Sequence, residues 1–567
     1  MRIRVYILAS ALLLLLIALG GVLRSFFTDR PLNVQEAPAR TIPNTDVNPY
    51  GANLFLAREV EDWKREKTVK MAAEAGIGWV KQQFPWVEIE PYHKGEFLNA
   101  RTGESNWEKY DEIVALCERY GLSIIARLDR APAWARPEGS LEEAPPEDFD
   151  DYGDFVYEFV KHYQGRIRYI QIWNEPNIFP EWGNRPVDPA SYVELLEVAH
   201  RRAKEADPNV YVLSAPLAIT LGEPHPEPGK WRSMSDLQFL EEMYKAGAKG
   251  YFDILSANAF GFDRPPDDPP DPNVLNFSRV LLQREIMERY DDDDKPIWFN
   301  EYGWNAAPED FPEEKLIWRR VSEERQAEYT LQGIEMARAK WPWAGVFNIW
   351  YFRQVGNYPP DDAAYYFRMV DVDFTPRRLY YAIRDVAAAL RVAGAGYYEE
   401  SNPAVSVGEG WQLIIEPRAS SRACAVSETP QASLSFAFKG DGVDLIALRD
   451  GKSGRVYVTL DGRAVSGLPV DKEGRSYVDL YSPLPQWQAK MPLVRGASGG
   501  QHVLRLMVSE EKNPDSQGCR CAVDAFEVTL APPPSFPYLP VSLLSSGAVA
   551  VGWLLYRELR GSRRRIR

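Results

Sequence analysis

Cysteine and histidine are scarce in this 567-residue chain, and neither is arranged to hold a metal. The four cysteines, Cys117, Cys424, Cys519 and Cys521, form no zinc pattern. The five histidines, His93, His162, His200, His225 and His502, are not paired at ligand spacing and sit in no strand-end motif. A zinc centre or a histidine-based triad therefore finds no support. Cys117 shares a helical face with Trp107, Tyr110 and Val114 and reads as a small core residue, whereas Cys424 has Cys519 or Cys521 as disulfide partner if that region lies outside the cytoplasm. A basic stripe is also missing. With a formal net charge of −15, the chain lacks the footprint of a nucleic-acid-binding protein. No glycine-rich phosphate loop follows the first strand, which argues against an open dinucleotide-binding sheet.

What the chain does have is two long apolar runs at its ends. Val5 to Leu23 is an almost uninterrupted run of Ala, Leu and Ile preceded by Arg2 and Arg4, long enough to cross a bilayer. It is a signal sequence or a signal anchor, and the lack of a clean small-x-small site before Arg24 favours an uncleaved anchor over residues 1–24. Proline-bearing residues 25–48 follow as a tether. Tyr538 to Tyr556 is apolar again, and the tail 557–567 carries Arg557, Arg560, Arg563, Arg564, Arg565 and Arg567. Arginines beyond both spans place both termini in the cytoplasm by the positive-inside rule, and the folded part outside it.

Between these runs two different periodicities appear. Over residues 49–391 short apolar strands alternate with amphipathic helices in eight pairs, the strands starting near Gly51, Trp79, Ile124, Tyr169, Tyr211, Phe252, Ile297 and Ala344. That count predicts an α/β fold, a (β/α)8 TIM barrel. Helical spacing is clearest in Trp107, Tyr110, Val114, Cys117 with Gly121 as the stop, and in Tyr152, Phe155, Val156, Phe159, Val160, Tyr163. The stiff acidic stretch Arg264 to Pro272, in the connection from Gly261 to Val274, reads as a solvated surface loop or as a lid over a cleft. Over 392–531 the pattern becomes short alternating strands, as in Ala432 to Phe438 and Val456 to Leu460, which predicts an all-β sandwich or jelly roll that folds by itself. A proline-rich linker, 532–537, closes it.

Two of the barrel strands end in a costly way. Tyr169-Ile-Gln-Ile-Trp-Asn-Glu-Pro-Asn177 and Pro296-Ile-Trp-Phe-Asn-Glu-Tyr-Gly-Trp304 are apolar runs that finish on Glu175 and Glu301, where a parallel barrel opens its C-terminal face. Two carboxyls at the ends of strands four and seven are what cleavage of a glycosidic bond requires, one as acid and one as nucleophile or base. The chain is also rich in Trp and Tyr, a composition shared by large cores and by sugar-stacking surfaces.

These motifs resemble those of the clan A glycoside hydrolases, the group that includes families 5 and 39, over residues 49 to 390. Trp173-Asn174-Glu175-Pro176-Asn177 is similar to the strand-four signature, which implies Glu175 as general acid/base and Asn174 as holder of the sugar 2-hydroxyl. Phe299-Asn300-Glu301-Tyr302-Gly303-Trp304 resembles the strand-seven signature, which implies Glu301 as nucleophile. Trp350 matches the place where the clan sets a tryptophan under the sugar, and Lys81 lies where relatives often carry arginine near the nucleophile. Trp182 is open to two readings, a stacking surface or loop packing. Strand six departs from the resemblance: Ala257-Asn258-Ala259-Phe260-Gly261 lacks the tyrosine that relatives aim at the nucleophile, so Asn258 is expected to contact substrate, with Tyr302 or Tyr351 as replacement donor. The β-unit looks like the galactose-binding-like domains appended to many glycosidases. The resemblance implies a retaining hydrolase of a polysaccharide or surface glycan, with carboxyls about 5–5.5 Å apart and no cofactor. A non-catalytic glycan-binding or envelope scaffold protein is the alternative.

Overall fold

A computed structural model describes residues 2–28, 40–356, 361–497, 500–530 and 537–564. Residues 29–39 of the expected tether, nearly all of the proline-rich linker 532–537 and the last three residues of the basic tail lie outside the described residues.

Eight parallel strands form the barrel: β1 Tyr50–Asn53, β2 Trp79–Pro85, β3 Ser123–Asp129, β4 Tyr169–Ile172, β5 Tyr211–Leu213, β6 Leu255–Phe260, β7 Ile297–Gly303 and β8 Ala344–Ile349. They pair in the order β5-β4-β3-β2-β1-β8-β7-β6, and a parallel bridge between Leu213 and Ile254 closes the ring. All but β3, whose Ser123 is exposed and Arg127 half-buried, are buried or nearly so along their length, as strands covered on both faces must be. Helices cover the outside. Phe149–His162 starts where the Asp148 side chain accepts from Asp150 N–H, and turns Tyr152, Phe155, Val156, Phe159 and Val160 onto the sheet. Glu108–Arg119 does the same with Tyr110, Ile113, Val114, Leu116 and Cys117, and ends before Gly121, whose φ of 69° the missing Cβ allows. Cys117 is buried, as its helical face implies, and all four thiols are free.

The second unit is a sandwich of two antiparallel sheets, one around Cys521–Thr529 and Gly442–Arg449, the other around Ser433–Lys439 and Gln501–Val508. It sits on the N-terminal mouth of the barrel. Trp79, Tyr169, Tyr211 and Trp298, at the starts of four strands, form an aromatic layer there, and Ile415 of the sandwich packs on it. Polar contacts fix the seam: Asp46 accepts from Glu399 N–H at 2.8 Å and from Asn402 Nδ2 at 2.9 Å, and Arg422 pairs with Asp294 at 2.8 Å. The sandwich thus shares a buried boundary with the barrel and leaves the opposite, C-terminal mouth open.

Helices run over Arg2–Thr28 and Tyr538–Arg564. Their stretches Ile3–Arg24 and Tyr538–Arg560 are long and apolar enough to cross a membrane, and neither is buried in the protein. The two helices pack on each other, with Leu15 lying against Gly547, where an added Cβ would come within 3.6 Å of its methyls.

Candidate active site

The site is assembled at the C-terminal ends of the strands. Glu175 follows β4, Glu301 lies near the end of β7, Lys81 is in β2, Asn258 in β6, and Trp350 follows β8. A bulge aims two of them. Along β6 Ala257 and Asn258 are consecutive, while along β7 their partners are Phe299 and Glu301, so Asn300 is the extra residue and Asn258 comes to lie beside Glu301.

Each glutamate has a different partner. Lys81 Nζ lies 3.3 Å from Glu301 Oε1, and the two residues are 3% and 7% exposed, so a buried cation faces the carboxylate. Burial pushes Lys81 down to about 8, helped by the charge of Arg127, while Glu301 pulls the other way. Glu175 instead accepts from Asn258 Nδ2 at 2.6 Å. Burial lifts the Glu175 carboxyl to about 8, and the neighbouring charges of Glu301 and Glu181 add to the rise against Arg127 and Lys81. Near neutral pH the pocket therefore holds one protonated carboxyl, only partly covered, and one carboxyl beside a cation. A donor and a nucleophile of opposite proton demand are what such a pair supplies.

The remaining residues divide. Asn174 is 4% exposed; its amide bonds the Glu181 carboxylate, and its Oδ1 has no protein partner, an acceptor that a substrate hydroxyl would satisfy. Trp350 is half-buried, with its ring edge-on to Phe55 at 5.7 Å and part of its surface free. Trp182 takes the packing role: it is 2% exposed and wedged edge-on between Trp173 and Tyr192, so neither face is open to a sugar. Tyr302 is fully buried and its hydroxyl donates to Thr330 O at 2.8 Å, away from Glu301, because successive strand residues face opposite sides. Tyr351 likewise has a donor spoken for, by Tyr365 O at 3.1 Å. The cation that meets Glu301 is Lys81. The stretch from Arg264 to Pro272 is a mostly exposed surface loop pinned in place: Trp304 Nε1 donates to Arg264 O, Ser278 Oγ to Pro266 O and Arg279 Nη1 to Pro272 O.

Other polar residues join the site that the motifs do not announce. Asp129, the last residue of β3, accepts from Gln83 Nε2 at 2.8 Å and pairs with Arg127, which reaches to 4.0 Å from Glu181. Asn300 Nδ2 donates to Asn258 Oδ1 at 3.2 Å, and Asn53 Nδ2 to Asn300 O at 3.1 Å. The available signal was a polar residue ending an apolar run, as Asp129 ends Ile124-Ile-Ala-Arg-Leu-Asp129. Among the described residues no group of His, Cys, Asp and Glu is arranged to hold a metal ion.

No family model and no curated protein matches the chain. Among solved structures, it is similar to a family 39 glycoside hydrolase from the gut symbiont Bacteroides cellulosilyticus WH2, with 18% identity over 82% of each chain and a TM-score of 0.45. A glucosidase from Croceicoccus marinus shows 12% identity over 83% of this chain and 98% of that one, with a TM-score of 0.46. A monomeric beta-xylosidase from Caulobacter crescentus CB15 shows 13% identity over 82% and 97%, with a TM-score of 0.43. At this level of likeness, what the site can do is read from its own residues.

Proposed function

We propose that the chain is a retaining glycoside hydrolase, held to the membrane by its terminal helices with barrel and sandwich outside the cytoplasm, and acting on a polysaccharide or surface glycan. The observation that carries the reading is the unequal pair: Glu175 lifted to about 8 beside an amide, Glu301 beside a buried ammonium. In the first step Glu301 attacks the anomeric carbon while Glu175 gives its proton to the departing oxygen. In the second, Glu175 takes a proton from water, which displaces Glu301 from the sugar. Asn174 Oδ1, unpartnered and buried, receives a sugar hydroxyl, and the free surface of Trp350 receives a ring face. The test is the anomer first released by the barrel–sandwich segment from a substrate found by screening aryl glycosides and polysaccharides. Proton NMR should show retained configuration, Glu301→Ala should abolish turnover, and Glu175→Ala should spare substrates with good leaving groups and be rescued by azide. Inverted product, or near-normal turnover by Glu301→Ala, refutes the roles; no hydrolysis of any glycoside by the wild type refutes the enzyme and favours a glycan-binding barrel.

A further inference from the structure

The bulge in β7 does more than set Asn258 beside Glu301. It also turns the Asn300 amide onto Asn258, and this contact decides which way Asn258 faces: its Oδ1 accepts from Asn300 Nδ2, leaving Nδ2 to point at Glu175 Oε1. Asn300 is held in turn by Asn53, which donates to its carbonyl and to that of Ile349. Asn258 is 2% exposed and Asn300 2%, so neither amide has water as an alternative partner. When Glu175 is neutral, the oxygen that accepts the Asn258 N–H, Oε1, is its carbonyl oxygen, and the proton sits on the other, Oε2.

We infer that Asn258 is a positioning residue for Glu175, its amide holding the catalytic proton on Oε2 by donating to Oε1. The inference rests on the glycosidase reading above and replaces the expectation that Asn258 contacts substrate. In the first step the Oε2–H bond breaks and the proton goes to the leaving oxygen, which keeps the electron pair of the broken C–O bond; Glu301 forms the new bond to carbon. Glu175 is then a carboxylate, and the Asn258 N–H bond becomes charge-assisted and stronger. Asn258 thus favours the product of proton transfer over the reactant, which is how a neighbour speeds a step. In the second step the proton returns from water to the same oxygen.

The groups facing Glu175 are Glu301 from β7, Glu181 from its own loop, Arg127 from β3 and Lys81 from β2. Burial, Glu301 and Glu181 hold the proton on, and the Asn258 donor works with the two cations against them.

The experiment uses aryl glycosides of one sugar with leaving groups of graded acidity, and compares wild type, Asn258→Ala and Asn300→Ala. In Asn258→Ala the part of the alkaline limb of kcat/KM that Glu175 contributes should move up by about one pH unit, so that just above pH 8 the fall, left to Lys81, drops from the second power of proton activity to the first. Its kcat/KM should fall by about 10- to 100-fold for poor leaving groups, which need the acid, and stay within a few-fold for good ones. Asn300→Ala leaves Asn258 in place but frees it to turn, and should move both quantities the same way by less. An unmoved alkaline limb in the two variants, with KM raised equally for every leaving group, would make Asn258 a substrate ligand and overturn the inference. If Asn258→Ala does not fold, Asn300→Ala decides by the same readouts. Wild-type hydrolysis with retention combined with an unmoved limb refutes this inference alone; absence of wild-type hydrolysis refutes the reading beneath it.

Discussion

Replacing Lys81 by methionine tests whether Glu301, the proposed nucleophile, depends on a buried counter-ion. The pair is 3.3 Å apart, and at an effective dielectric near 20 two unit charges at that separation attract by about 5 kcal/mol. That is a ceiling, since water enters a site that has lost an ammonium; removing one member of a buried pair costs ~3–5 kcal/mol in practice. Taking the lower end, kcat/KM should fall about 10²-fold, at 1.36 kcal/mol per factor of ten. Methionine keeps the length of the stem and leaves no void, but the unpaired Glu301 carboxyl should also lower the melting temperature, so activity is compared well below the variant's own transition. Lys81→Arg gives the converse. Wild-type Lys81 and Glu175 both lose protons near pH 8, so above it the rate should fall with the second power of proton activity. Arginine never deprotonates in this range, and the variant should fall with the first power only. The assay is the pH profile of kcat/KM on one aryl glycoside. If Lys81→Met retains activity within a few-fold, or if Lys81→Arg leaves the alkaline slope unchanged, the counter-ion argument fails.

Two further outcomes are expected elsewhere in the molecule. At the seam, Ser420 Oγ accepts from Tyr397 OH at 3.0 Å and faces Glu399 Oε2 at 2.8 Å and Asp524 Oδ1 at 2.7 Å, and a hydroxyl with one proton cannot donate to two carboxylates, so one carboxyl brings its own. Burial pushes Glu399 from 4.5 up to about 9, with Glu400 adding to the rise, so the folded protein holds a proton that the unfolded chain releases; stability should decline as pH rises between those values. Glu399→Gln should flatten that decline and raise the melting temperature near pH 9 by ~2–4 °C, as for about 1 kcal/mol; an unchanged slope removes Glu399 as the cause. For topology, a reporter fused after Arg567 should behave as cytoplasmic, while protease added to intact cells should reach the barrel; an extracytoplasmic reporter refutes the two-anchor arrangement.

The barrel was legible because its strands, β3 at Ser123 and Arg127 apart, are buried or nearly so on both faces, so eight short apolar runs stand out against amphipathic helices. Glu175 and Glu301 were legible for the opposite reason, since a carboxyl ending such a run has no structural excuse. Tyr302 was misjudged although the information was present: it follows Glu301 in a strand, and alternation alone turns its hydroxyl to the helix layer. Other features have no local signature. The extra residue Asn300 in β7, which brings Asn258 to Glu175, depends on the register between two strands. The seam joins Asp46 to Glu399, 353 residues apart, and a change of periodicity near residue 391 marks a boundary without saying how tightly its two sides are joined.

Backbone strain was equally invisible, and it bears on why Glu175 stands where it does. Trp173 and Glu175 have φ of 69° and 40°, in the left-handed region that side chains avoid, and Pro176 restricts Glu175 further. Such residues cost about 1–3 kcal/mol each and persist only where their surroundings over-determine them. Here they do. Trp173 donates from its backbone to Leu128 O at 3.0 Å and from its indole to Glu181 O at 3.0 Å. Glu175 donates to Pro216 O at 3.1 Å, and Asn177 clamps the next turn through Ala218 and Met234. These bonds tie the end of β4 to β3 and to the loop after β5, so the chain leaves its strand by a sharp turn. Asn174 stays against Glu181 and Glu175 reaches the Asn258 amide across the barrel mouth. A relaxed continuation of β4 would place successive side chains on opposite faces and could not hold both toward the cleft. The strain is the condition for holding the Glu175 carboxyl at the barrel mouth against the Asn258 amide, and the tryptophan and second asparagine of the motif hold the strained turn.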